Sequence, residues 1–384
     1  MSQQSPLSSL KQHFETIDDP RAGYRIQHQL VDIVMIAICA LICGADSWVE
    51  IEQYGLSKAS WLSTFLELPN GIPSHDTFER LFARLRPEQL QASFSSWLNA
   101  VSGLLKQGGI AIDGKALRGS GHPGEPTSLT YMVSAWATEA RLVLGQRKVD
   151  EKSNEITAIP ELLSLLTLDG AIVTIDAIGC QTAIAQQIVE QGGDYVLPVK
   201  GNQGNLHKDL VDWFERAEAK RFSGEQYDLY ETQETEHGRQ DVRRYWVLTN
   251  INAIPALEQW ASSTAIGCIE SQRTEGLKTT TERRYFLMSL PLSAQRFAEV
   301  VRGHWGIENQ LHWVLDVAFR EDDSKVARGY APENLAVLRH LALNLINQEK
   351  SLKAGTRAKR MRAGWDDQYL CRVLTNYAQT NTKP

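Results

Sequence analysis

The sequence predicts an α/β fold built on a mixed sheet, with an all-α region ahead of it. Three observations lead there. The first hundred residues read only as helices. From Gly108 the order becomes strand, strand, strand, helix, strand, helix, strand, which is a mixed sheet opening with an antiparallel meander. From about Gly201 to Leu290, charged and alternating stretches read as a β-rich insertion, after which helices resume. The expected divisions are a helical domain over 1–107, the first part of the sheet domain over 108–204 and the insertion over 205–290. The sheet domain's closing helices follow over 291–349, and a basic tail over 350–384.

Each element has a local cause. Leu30 to Cys43 is apolar on every side, so it belongs at the centre of a helical bundle, and Gly44 ends it. Cys39 and Cys43 lie on that helix as core residues. After the turn from Pro69 to Pro73, Asp76 and Glu79 have capping-box spacing for a helix from Thr77 to Leu85. A helix capped there explains the neighbouring His75 better than a catalytic dyad does. Pro87 starts a helix to about Leu105. Ile110 to Asp113 is a short strand, and Thr130 to Trp136 with Leu142 to Val149 form a hairpin. A helix from Thr157 to Leu166 follows, capped by Ser153 or Asn154. Ala171 to Ile175 is a strand ending at Asp176. Gln181 to Gln191 is a helix stopped by Gly192-Gly193, and Tyr195 to Val199 is a strand closing on Lys200. In the insertion, Arg243 to Thr249 and Arg283 to Met288 alternate. The later helices run from Ser293 through Trp305 to Val317, and from Glu333 to Gln348.

Composition removes several classes of function. At roughly 150 residues per domain, 384 residues suggest two or three domains. With 42% apolar and 22% charged residues, a sizeable core is available and wholesale disorder is excluded. Five scattered cysteines do not make a disulfide framework. The longest apolar stretch, Ile33 to Ala45, is 13 residues, short of the roughly 20 that span a bilayer. The polar stretch Ser2 to Gln12 lacks the pattern of a secretory signal. A cytoplasmic protein is expected. A net charge of −6 argues against a polycation that coats nucleic acid. The charge is uneven, however: from Ser324 onward eleven basic residues face four acidic ones, a net +7, which points mildly to an anionic partner at that end. A basic, solvated helix and tail explains the charge equally well.

Two carboxylates hold matching places. Asp113 and Asp176 each end an apolar strand, and strand ends of a sheet with crossovers gather at one edge, where sites form. Each has a plainer reading, Asp113 in an Asp-Gly turn and Asp176 as a strand-to-helix cap. The stretch Arg302 to Asp316 offers a third acid, with Glu308, His312 and Asp316 four apart on one helix face. A solvated amphipathic face explains this too, but Trp305 and Trp313 make a helix with a buried acid more economical.

These motifs carry a resemblance. Ala-Ile-Asp113-Gly-Lys115, Thr-Ile-Asp176-Ala, Asp194-Tyr-Val-Leu-Pro-Val-Lys200-Gly-Asn202-Gln203 and His304-Trp-Gly-Ile-Glu308-Asn resemble bacterial insertion-sequence transposases of the DDE type, the H-repeat-associated family in particular. Asp19-Pro-Arg and Pro73-Ser-His-Asp-Thr-Phe78 resemble that family's helical N-terminal domain, so the likeness spans nearly the whole chain. It implies a ribonuclease H-like catalytic domain with a β-rich insertion between the second and third acids. It also implies Asp113, Asp176 and Glu308 as catalytic residues holding two Mg²⁺ ions, with Mn²⁺ an alternative. Asp113 would bridge both ions. Oxygen ligands suit Mg²⁺, and two such ions serve in-line displacement at phosphorus.

The implied partner is double-stranded DNA, both element ends and target, bound by a homo-oligomer on the bacterial nucleoid. Related families carry Tyr-x2-Arg-x3-Glu-x6-Lys around the glutamate, where this chain has Val301, His304 and Leu315. Phosphate contacts would then fall to Arg302, His304, His312 or Arg320. Lys115, Arg118, Lys200 and Asn202 follow strand ends and are expected on the DNA backbone, as are Lys359 and Arg360 on the basic tail. Two alternatives stand beside a transposase: a nuclease of the same fold without strand transfer, and an inactive or domesticated DNA-binding remnant.

Overall fold

The computed structural model describes residues 6–21, 26–101, 108–121, 129–150, 154–236, 238–251 and 253–380. The chain opens with α1 (Pro6–Gln12), α2 (Leu30–Ile42), α3 (Trp48–Ser57), α4 (Ala59–Leu62), α5 (His75–Phe82) and α6 (Pro87–Val101). Every residue of α2 except Val31 is buried, as its unbroken apolar text requires, and Gly44 leaves it at φ 105°. Serine caps α3: Ser47 and Glu50 form a reciprocal capping box. The capping box expected at Asp76 is not formed. Helix α5 starts at His75, and Asp76 instead pairs with Arg80 one turn on, at 2.9 Å. His75 pairs with Glu52 at 2.6 Å. The expected end of α6 at Leu105 lies outside the described residues, as does Ser153.

The sheet domain follows: β1 (Gly109–Leu117), β2 (Thr130–Ala137), β3 (Leu142–Val149), α7 (Glu155–Leu163), β4 (Ile172–Ile175), α8 (Thr182–Glu190) and β5 (Asp194–Val199). Asn154 caps α7 by accepting from the Ile156 amide. In space the strands lie in the order β3-β2-β1-β4-β5, with β2 antiparallel to both neighbours and β1, β4 and β5 mutually parallel. This is the ribonuclease H-like arrangement.

The inserted region is not a separate β module. It begins with a 16-residue helix, α9 (Gly204–Ala219), which the β-rich expectation missed. Then β6 (Tyr227–Glu236), β7 (Arg239–Leu248), β8 (Ala265–Glu275) and β9 (Lys278–Met288) continue the same sheet: β9 pairs antiparallel with β5, and β8, β7 and β6 follow outward. The pleat sorts their side chains. Tyr285 and Leu287 of β9 and Trp246 and Leu248 of β7 share a core with α9, while Phe286, Met288, Tyr245 and Val247 face the opposite way.

That second face is covered by α10 (Ala294–Gly306) through Phe297, Ala298, Val300 and Val301. The helical rod continues as a π-helical turn, Ile307–His312, and α11 (Trp313–Ala318). Next comes α12 (Ala331–Gln348), buried over almost its whole length. Its Asn344 grips both the amide and the carbonyl of Val143 on β3, at 2.8 and 2.9 Å. Its Asn334 donates to the carbonyls of Phe82 and Leu85 in the N-terminal helical region. One continuous core therefore joins the N-terminal helices to the sheet. The expected basic tail is two docked helices, α13 (Thr356–Trp365) and α14 (Asp367–Thr380). All five cysteines are free, and among the described residues no helix is long and apolar enough to cross a membrane.

Candidate active site

Strand register sets the site. Ile112 of β1 faces Ile175 of β4 as the last pair of the parallel ladder, and an aspartate follows each. Beyond that pair β1 stays bonded to β2, with Asp113 opposite Ser134 and pairing continuing to Leu117. Asp113 is thus inside a strand instead of at its end, and the two strands part where the carboxylates stand. Asp176 also serves its turn, accepting through Oδ1 from the amides of Ile178 and Gly179 at 3.1 and 3.2 Å. Asp176 therefore closes the turn after β4; it does not cap α8, whose N-cap is Gln181.

Glu308 lies in the π-helical turn. Such turns are rare and concentrate at functional sites. Asp113, Asp176 and Glu308 all line one cavity of about 490 Å³, whose wall includes Thr174, His304, Trp305, Lys200 and Arg284. The three acids face this space without closing on a point: among the described residues no three His, Cys, Asp or Glu side chains converge tightly enough to hold a metal ion.

Electrostatics mark the same place. Burial pushes the Asp113 carboxyl up to about 7, against a lowering hydrogen bond from the Gly114 amide, and the negative charges of Asp176, Glu155 and Glu308 add to the rise. Glu155 is a fourth carboxylate that the sequence did not single out. Its side chain fills the space that a Cβ on Gly114 would take, and its own pKa is raised by burial and then by Asp176. Its only signal in the sequence was a place after Asn154 in the first turn of a helix, where an acid is ordinary.

Two histidines flank the acids in neutral form. His304 shares a 2.9 Å hydrogen bond with Thr174 through Nδ1, and burial lowers its pKa to about 4. His312 places Nδ1 3.5 Å from Asp113 Oδ2, and its pKa also falls to about 4, through burial and then the charge of Lys115. Trp305 stands exposed at the cavity, with the Arg284 guanidinium 5.8 Å from its ring centre.

The expected DNA contacts divide. Lys200 lines the cavity and is exposed. Asn202 spends its amide on the Ala177 carbonyl at 2.6 Å, tying the loop after β5 to the loop after β4. Arg302 pairs with Glu234 of β6 at 2.8 Å, and Arg118, well exposed, lies 3.5 Å from Asp322. Lys115 is turned inward to Asp316 and Glu321.

Lys359 and Arg360 do not face solvent, and their assignment as DNA contacts is corrected. They are 8% and 3% exposed. Lys359 donates to the Ile346 and Glu349 carbonyls, and Arg360 to those of Leu41, Ala45 and Ala318 and to Asp46. Their charge satisfies helix ends inside the protein instead of meeting phosphate.

Comparison with known proteins identifies the family. The family described as DDE_Tnp_1-associated matches residues 11–98, and the family described as Transposase DDE domain matches residues 105–345. The chain is similar to the H repeat-associated putative transposase YhhI of Escherichia coli K12, 38% identical across 96% of this chain and 98% of that protein. It is similar to the putative transposase YncI of E. coli O157:H7, 37% identical across 97% of this chain and 96% of that protein. A shorter likeness, 36% identical over 20% of this chain and 93% of the other, is to the inactive transposase YbfQ of E. coli K12. Matched over residues 105–345 and built on a ribonuclease H-like sheet, the chain belongs to the transposase DDE-domain family.

Proposed function

We propose that this chain is the transposase of an insertion-sequence element, recognising terminal inverted repeats and carrying out strand cleavage and strand transfer. The observation that carries the proposal is the register pair Ile112–Ile175, which sets Asp113 and Asp176 side by side facing the cavity that Glu308 also lines. The similarity over 96% of the chain to a protein named as a putative transposase supports it.

The donor set fits a hard divalent cation. It consists of carboxylate oxygens, with both nearby histidines held neutral and one of them engaged by Thr174. Asp113, whose ionised form burial and like charges disfavour, is the group that a nearby dication would stabilise most. Asp113, Asp176 and Glu308 would hold the ions, Mg²⁺ by preference. Bound there, divalent ions would activate the attacking water or 3′-hydroxyl and stabilise the leaving oxygen. Lys200 and Arg284 put positive charge on the cavity wall, where a phosphodiester backbone would pass. Thr174 fixes the His304 ring. His312 borders Asp113, its Nδ1 3.5 Å from Oδ2.

The test is nicking of DNA carrying the repeats that flank the encoding gene, with Mg²⁺ supplied. The wild type cuts at the repeat ends, while Asp113→Asn and Glu308→Gln lose cleavage and keep end binding. Cleavage at wild-type rates by either variant defeats the proposal. A marked donor element then separates transposition from nuclease action alone, and binding without cutting by the wild type identifies a remnant.

A further inference from the structure

The strand of Asp113 has its own link to the rod that carries Glu308. Two residues beyond Asp113, Lys115 is 13% exposed along its side chain, and its Nζ donates to Glu321 Oε2 at 2.7 Å and to Asp316. Asp316 lies in α11, two turns beyond Glu308, and Glu321 begins the short turn after that helix. Glu321 is 2% exposed, and its Oε1 faces Arg339 of α12 at 3.6 Å. The backbone is fitted to this contact. Arg320 takes a left-handed φ of 48°, a strained conformation for a non-glycine residue, immediately before the inward-facing Glu321. Gly119 packs so close to the Ser324 carbonyl that a Cβ there would overlap the oxygen.

Glu308 needs such an anchor. It sits in a π-helical turn, whose geometry differs from that of the α-helices on either side. On the N-terminal side of the turn, α10 is fixed through Phe297, Val300 and Val301 against the sheet. On the C-terminal side, the part-buried cation of Lys115 ties the rod to β1. Among the described residues it is the one cation within 4 Å of all three of Asp316, Glu321 and Asp322; Arg339 and Arg118 approach only Glu321 and Asp322 respectively.

We propose that Lys115 is a positioning residue for the acid set, holding the Glu308 rod in register against the strand of Asp113. The proposal rests on the reading of Asp113, Asp176 and Glu308 as ligands of divalent cations. The test is Mn²⁺ binding to the full-length protein, measured by titration calorimetry, for wild type, Lys115→Met, Asp316→Asn and Asp113→Asn. Lys115→Met is expected to bind Mn²⁺ roughly 10–100-fold more weakly, the loss usual when the partners that orient metal ligands are removed. Asp316→Asn, altering a side chain 31% exposed, is expected to move the same way by less.

A purely structural lysine would lower the melting temperature and leave Mn²⁺ affinity alone. If Asp113→Asn loses Mn²⁺ while Lys115→Met binds it like wild type, the positioning role is wrong and the acid reading stands. If Lys115→Met does not fold, Asp316→Asn decides in its place: wild-type Mn²⁺ affinity there overturns the positioning role, and weakened affinity upholds it. Unchanged affinity in Asp113→Asn overturns both.

Discussion

The guanidinium of Arg360 sits over the ring of Phe319, 4.1 Å from its centre, and also reaches Asp46 at 2.8 Å. One side chain thereby joins α13, the N-terminal helices and the end of the Glu308 rod. Arg360→Met leaves three buried carbonyls and Asp46 without their donor. Removing one partner of a buried pair costs about 3–5 kcal/mol. Urea unfolding should report a loss of that order, and a change below about 1 kcal/mol would refute the structural role.

Salt dependence of DNA binding distinguishes lysines that touch phosphate from those that do not. Each phosphate contact contributes about 0.9 to the slope of log affinity against log salt. Lys200→Ala, at the cavity, should reduce the slope by about one. Lys359→Ala, whose ammonium is held by the Ile346 and Glu349 carbonyls, should leave it unchanged. Equal effects would contradict the burial.

His340 gives a signed prediction for pH. It is fully enclosed in α12, and burial lowers its pKa to about 4, opposed by the charge of Glu321. The unfolded chain takes up this proton near the ordinary value of about 6.5, so the folded state binds fewer protons in between. The contribution to stability is present above pH 6.5 and is lost as pH falls towards 4. In His340→Gln, the stability difference from wild type should therefore change between pH 6.5 and 4 and be flat above. The opposite trend in paired denaturation curves would show that the fold favours the charged ring, and no trend would show that burial leaves its titration unshifted.

Gly267 on β8 tests the packing of α10. A Cβ there would meet the Phe297 ring at 2.6 Å, and that ring is fully buried. Gly267→Ala should cost about 1–3 kcal/mol, as overpacking of a filled core does. Gly201→Ala, with nothing within 4 Å, should stay within about 0.5 kcal/mol of wild type. Thermal denaturation of the two side by side decides the matter.

The sequence revealed what is encoded locally. Apolar strands followed by aspartate at 113 and 176 were legible because periodicity and a terminal acid lie within a few residues. The hairpin of β2 and β3 and the cap at Asn154 were legible for the same reason. Pairing of Val196 with Met288 was not, because it joins residues far apart and nothing in either stretch names its partner. Counting charge at the C-terminal end misplaced Lys359 and Arg360, since their burial is decided by backbone at positions 41, 45, 318, 346 and 349. The π-helical turn at Glu308 likewise has no signature in its residue types: the stretch reads as plain helix, and only the packing at both ends reveals the extra residue.

Because the insertion extends the sheet of Asp113 and Asp176 without a break, its far strands cannot swing independently of those aspartates. From β4 to β6 there are five steps of about 4.8 Å, or about 24 Å in all. Anything lying along β6 or β7 therefore stands at a set distance from Asp113 and Asp176, and the spacing of hydrogen-bonded strands fixes that distance.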